Sequence, residues 1–114
     1  MTGAELAAAA ESLAGTPFRL HGRDPASGLD CVGLLGAALA KCGARAHLPN
    51  GYALRALFLP DLEKFAEGCG LAPADGPIFE GDVVLVRIEP CQHHLLIAAR
   101  QGRFVHAHAS LGKV

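Results

Sequence analysis

The chain reads as an α+β domain, with helices first and a small antiparallel sheet second. Three observations predict this. Residues 4–14 and 31–43 have helical composition and end in helix-stop residues. From residue 80 onward, the apolar residues fall instead into short strand-like runs bounded by turn residues. Helices followed by consecutive strands is the order of an α+β protein, not of an alternating α/β chain. The length, 114 residues, is enough for one domain spanning 1–114 and too short for two.

The first helix is rich in alanine and leucine and stops at Gly15-Thr16-Pro17. A loop over 15–30 follows, with Gly22, Pro25 and Gly28 as breakers. The second helix begins at Cys31, with Asp30 placed to cap its start and Gly43 its end. Gly33 and Gly36 inside it lower helix propensity and mark close packing against another element. A third helix is expected near 60–69, with Pro60 in its first turn and Gly68 or Gly70 at its end. Its Asp61, Glu63, Lys64 and Glu67 form one solvated face. Strands are expected at 82–88, 94–99 and 104–109. Three strands make a small sheet and the chain stops just after the third, so a C-terminally truncated domain is expected.

Hydrophobic residues make up 51% and aromatics 5%, with no Trp, so the core must be built from Leu, Val, Ile and five Phe. With 18% charged residues and a net charge of -1, no field points to nucleic acid or to an anionic membrane surface. Met1 to Leu6 has no positive n-region, and Glu5 and Glu11 interrupt the alanines, so no secretory signal is read. No segment approaches the roughly 18 apolar residues of a membrane span. The protein is therefore expected to be made in the cytoplasm, with neither nucleic acid nor membrane as a partner. Four cysteines without a Cys-x-x-Cys pair read as free thiols. Cys42, Cys69 and Cys91 are expected to be small buried hydrophobes. Cys31 stands apart.

A nucleophilic cysteine needs a lowered thiol pKa, a base and donors for an oxyanion. At a helix start, the Cys31 sulfur sits over unpaired backbone N–H groups and the positive end of the macrodipole, a field that favours thiolate. The N–H groups of Cys31 and Val32 can hold the oxyanion. Four of six histidines, His93, His94, His106 and His108, lie in the last two strand segments. A three-residue loop, Arg100-Gln101-Gly102 with Gly102 left-handed, would pair Ala99 with Arg103, His94 with His108 and Leu96 with His106. That register puts His94, His106 and His108 on one face, whereas a two-residue loop would separate them. His94 is then the candidate base, and His106, diagonal to it, the residue that orients its other ring nitrogen. His93 alternates to the opposite face.

Five motifs occur in one order: Gly15-Thr16-Pro17-Phe18, Asp30-Cys31-Val32-Gly33, Gly81-Asp82-Val83-Val84, His94-Leu95-Leu96-Ile97 and Phe104-Val105-His106-Ala107. Together they resemble the NlpC-type cell-wall peptidases, papain-like cysteine endopeptidases of peptidoglycan, over about residues 10–109. The resemblance implies a papain-like fold with the nucleophile at a helix start packed on a small antiparallel sheet. It implies hydrolysis of a stem-peptide amide, usually between D-γ-glutamate and diaminopimelate or lysine, with no cofactor and no metal. Cys31 would attack the carbonyl, His94 relay the proton to the leaving amine, and His106 orient His94. Asp30 would help bind the peptide's free amino end, beside its plain role as an N-cap. Phe18 would line the substrate side, and Arg19, His21 and Arg23, on the loop before Cys31, could meet a substrate carboxylate or form only an exposed basic loop. Phe18 departs from the family's frequent tyrosine, so any hydroxyl role passes elsewhere, to His21 or Arg19. The chain most resembles the short peptidases coded beside phage tail or gene-transfer-agent genes. The implied partners are the stem peptide and tail proteins, with delivery to the wall on a tail-like particle.

Three other readings compete. A zinc site could draw on Cys91, His93 or His94, His106 and His108, but that spacing fits no common zinc pattern and leaves Asp30-Cys31 unexplained. A catalytically inactive tail or adaptor protein could keep the fold for binding. An amidase or acyltransferase relative could keep the nucleophile and change the acceptor.

Overall fold

The computed structural model describes residues 2–44, 66–72, 74–89, 92–108 and 111–114, with backbone alone at 87–89, 92 and 93. Helix α1, Gly3–Ser12, starts where extended Thr2 accepts a hydrogen bond from the Glu5 N–H at 3.1 Å. This satisfies one of the donors left open at a helix start. Leu6, Ala7 and Ala10 form its buried stripe.

The predicted loop at 15–30 contains a hairpin not read from sequence: β1, Arg23–Asp24, pairs antiparallel with β2, Gly28–Leu29. Asp24 organises the turn, accepting from the Ala26 N–H through its carboxylate at 2.9 Å and from the Ser27 N–H through its carbonyl at 3.0 Å. Such a local side-chain bond is how aspartate nucleates turns.

Helix α2, Cys31–Lys41, is buried at Cys31 through Leu35 and again at Ala38 and Leu39. A helix apolar on nearly every side belongs at the centre of a domain. Here it packs on α1 and on the sheet. Asp30 caps it as expected, accepting from the Gly33 N–H at 2.8 Å. A Cβ on Gly33 would fall on the Gly22 carbonyl oxygen. The internal glycine therefore lets the loop's backbone lie directly on the first turn of the helix.

Strands β3, Val83–Glu89, β4, Gln92–Ala98, and β5, Phe104–Val105, form an antiparallel sheet in that order. Leu95 and Ile97 of β4 are buried, whereas His94 and Leu96 are half-buried, the alternation of a strand with one face on the core. Full burial of side chains such as Leu29, Leu34, Leu35, Leu39 and Ile97 contributes about 1.5–3 kcal/mol each.

Between β4 and β5, residues Arg100–Gly102 make a three-residue turn with Gly102 at φ 69°. The Ala99 N–H donates to the Arg103 carbonyl at 2.8 Å, and Ile97 faces Val105. This is the odd register that a three-residue loop requires.

One expectation changes here. The strand predicted over 104–109 is paired only at Phe104–Val105, because the chain turns back after His108. The His108 N–H donates to the Lys113 carbonyl at 3.0 Å, and the Gly112 N–H to the His108 carbonyl at 2.9 Å. The segment 111–114 then ties to the residues after α1: Phe18 N–H donates to Gly112 at 2.8 Å, and Val114 N–H to Thr16 at 2.8 Å. Residues 112–114 thus pair along the Gly15–Phe18 segment. Of the helix expected near 60–69, residues 66–69 are described: 66–68 are helical, Cys69 and Gly70 form the turn after them, and Pro60, Asp61, Glu63 and Lys64 lie outside the described residues. No described helix is long and apolar enough to cross a membrane.

Candidate active site

Two contacts define the candidate site: the start of α2 lies against the middle of β4, and β4 meets the segment following β5. Cys31 is the first residue of α2 and is only 4% exposed. The backbone N–H groups of Leu95, Val32 and Cys31 lie close enough to its sulfur to favour the anion. Leu95 directly follows His94, so the thiol sits against the strand that carries the candidate base. Among the described residues, Cys31 and His94 form no hydrogen bond in this resting arrangement. Catalytic hydrogen bonds in substrate-free enzymes are often long and tighten on binding.

The expected resting thiolate is overturned. Burial pushes the Cys31 thiol up to about 11, the three backbone donors offset only part of this, and the Asp30 carboxylate adds to the rise. Removing a charge from water costs more here than the helix start returns. The free protein therefore holds Cys31 as a neutral thiol at neutral pH.

His94 Nε2 and His106 Nδ1 are 3.1 Å apart, with the rings edge to face at 5.2 Å between centroids. His106 engages Nε2 of His94, which leaves Nδ1 to meet a thiol or a leaving group. His94 is held below the ordinary imidazole range by burial, and further by His106 and His108. His106 is lowered in the same way, by burial and then by His108. A neutral imidazole is the form that accepts a proton. His108 extends the row, its ring 5.3 Å from that of His106, and its Nδ1 accepts from the Leu111 N–H at 3.2 Å. When neutral it therefore carries its proton on Nε2.

The remaining predicted residues divide. Asp30 is 4% exposed, and its oxygens accept from the Gly33 N–H, from the His21 N–H at 2.9 Å and from Arg23 at 3.1 Å. That arrangement carries the cap role; the predicted contact with a peptide amino group finds a carboxylate already occupied by the protein's own donors. Arg23 is thereby drawn into the frame of the loop. Arg19 and His21 are exposed and Phe18 half-buried, with Phe18 bridging Leu29 on the loop before Cys31. His21 adopts φ 61°, which aims its N–H at Asp30. Cys31, Cys42 and Cys69 are free thiols; Cys69 is buried in the core as expected, whereas Cys42 is only half-buried at the end of α2. Cys91 and the side chain of His93 lie outside the described residues, among which no three His, Cys, Asp or Glu side chains converge as metal ligands.

Two participants were missed in the sequence. The Leu95 N–H beside the sulfur is a backbone group and leaves no trace in residue type. The grip of Leu111 on His108 depends on the turn over 108–112, for which Gly112 was an available signal.

The histidine pair gives a testable pH dependence. Both folded-state pKa values are depressed, so between them and the unfolded value the unfolded chain binds more protons and stability rises with pH. The contribution is present above the unfolded imidazole value and is lost as pH falls through the folded ones. Urea denaturation at about pH 7.5 and about pH 5 should show a larger loss for the parent than for a His94→Gln/His106→Gln variant. An equal loss would remove the predicted linkage.

No protein-family model, no curated protein and no solved structure matches the chain significantly, so the account of this site rests on its own residues and their arrangement.

Proposed function

We propose that the protein is a cysteine-type peptidase that hydrolyses an amide of the peptidoglycan stem peptide through a papain-like arrangement of Cys31, His94 and His106. The observation that supports this most is the His94 Nε2···His106 Nδ1 contact at 3.1 Å, on a strand whose next N–H reaches the Cys31 sulfur. A base that meets a second polar ring, on the strand whose next N–H reaches a helix-start cysteine, suits acyl transfer.

The chemistry follows from the neutral resting pair. As Sγ attacks the substrate carbonyl, His94 Nδ1 takes the thiol proton, and His106 supports the imidazolium through Nε2. The carbonyl electrons move onto oxygen, where the N–H groups of Cys31 and Val32 receive them. His94 then gives its proton to the departing amine as the carbon–nitrogen bond breaks, leaving a thioester. Water, deprotonated by His94, cleaves the thioester and restores the thiol. By the motif resemblance, the bond is D-γ-glutamyl to diaminopimelate or lysine, and the protein works with a phage tail or gene-transfer-agent particle at the cell wall.

One observation favours a second reading, an inactive adaptor that keeps the scaffold for binding: burial holds the Cys31 thiol at about 11. Incubation of the protein and its Cys31→Ala variant with purified muropeptides, with products identified by mass spectrometry, separates the two. The peptidase should cut one stem-peptide amide and the variant none. Equal products from both would end the proposal, and no products from either would leave the adaptor.

A further inference from the structure

Behind the histidine row, the end of α1, the β4–β5 turn and the C-terminal return enclose a groove of about 470 Å³. It is lined by three cations, Arg100, Arg103 and Lys113, and by one acidic side chain, Glu11. Glu11 is already engaged, accepting from the Arg100 N–H at 3.4 Å and lying 3.3 Å from its guanidinium. Among the described residues, Arg103 and Lys113 have no carboxylate partner. Both have anchored backbones: Arg103 pairs with Ala99, and Lys113 bridges Pro17 and His108. The Val114 oxygen in this region is held by the Gly15 N–H at 2.9 Å. Val105 and Leu111 add apolar wall. The groove thus offers, among the described residues, two exposed cations with no carboxylate within ion-pair distance, on hydrogen-bonded backbone beside an apolar surface, which suits an anion attached to a hydrocarbon group.

We infer that this groove binds a carboxylate-bearing small molecule, with its anion between Arg103 and Lys113 and its apolar part against Val105 and Leu111. His106 and His108 line the same groove, so the bound ligand touches the far side of the ring that orients His94. The site needs nothing from Cys31 and stands whether or not the protein is a peptidase.

The carboxylate can come from a free organic acid or from the end of a peptide, and two probes distinguish the sources: N-acetylleucine and N-acetylalanyl-leucine. Binding to the full chain is followed by calorimetry and by amide chemical shifts at Arg103, His106 and Lys113. Both acids should saturate, with shifts at all three residues, and N-acetylleucine amide should bind at least about tenfold more weakly. Tighter binding of the dipeptide assigns a peptide end, and equal binding a free acid. Arg103→Gln and Lys113→Gln should each weaken binding about fivefold, the scale of an exposed ion pair. Cys31→Ala should bind as the parent does. Equal affinity for acid and amide, indifference to both substitutions, or tighter binding of inorganic phosphate than of either acid would overturn the site.

Discussion

Under the proposed peptidase function, replacement of His94 by alanine is expected to slow stem-peptide cleavage by about 10²–10⁴-fold, the usual contribution of a positioned general base, while leaving the fold intact. The size follows from the resting protonation states. Cys31 is held neutral by burial, so the sulfur gains nucleophilicity only as its proton leaves, and His94 is the neutral imidazole on the adjoining strand. Because His94 is only half-buried, its removal leaves the core formed by Leu95 and Ile97 in place. His106→Ala should reduce kcat by a smaller factor, with KM nearly unchanged, and His106→Asn should restore part of the rate by again accepting from Nε2. That rescue separates orientation of His94 from a merely structural role. A His94→Ala variant that cleaves at the parental rate would remove His94 from the mechanism. The comparison requires kcat and KM for the parent and the three variants.

Gly33→Ala should be among the most damaging single-methyl changes in the described chain. Alanine at this position would gain about 1 kcal/mol of helix propensity. Its Cβ, however, would fall on the Gly22 carbonyl oxygen, a backbone atom with no rotamer to turn away. Relief means lifting the loop that also carries the His21 N–H and Arg23, both bound to Asp30. Overpacking of this kind costs about 3 kcal/mol at the upper end of its usual range. The net loss of about 2 kcal/mol corresponds to roughly 10 °C in a domain of this size. Thermal unfolding by circular dichroism reads the shift directly, and an unchanged or raised Tm would show that the loop does not bear on the helix as described. Activity should fall with stability, because the same loop fixes the cap that starts α2 beneath Cys31.

The parts of this architecture that depend on local chemistry were legible in the sequence. Asp30 before an apolar run specified a capped helix start, and the Gly33 N–H bond to its carboxylate bears that out. Arg100-Gln101-Gly102 specified a three-residue turn, and the turn alone decides the side on which His94, His106 and His108 emerge. The register of Ile97 with Val105 follows from it. Properties arising from the whole fold were not legible. The helix-start field on Cys31 can be read from residue order, whereas the burial that outweighs it depends on what packs over the sulfur. The β1–β2 hairpin is only two residues deep and is held by Asp24 and by contact with Gly33, below the level of any strand periodicity. The early end of β5 accompanies the pairing of residues 112–114 with 15–18, a contact distant in sequence that no local pattern encodes.

The most direct measurement of the central chemistry uses a stem-peptide analogue carrying a vinyl sulfone in place of the scissile carbonyl, followed by peptide mass mapping. Addition forms a carbon–sulfur bond while the thiol proton moves, by way of His94, to the neighbouring carbon. The account predicts one adduct, on Cys31, formed at least tenfold more slowly in His94→Ala and absent in Cys31→Ala. Labelling that spares Cys31 and falls on Cys42 or Cys69, or that proceeds equally fast without His94, would contradict it.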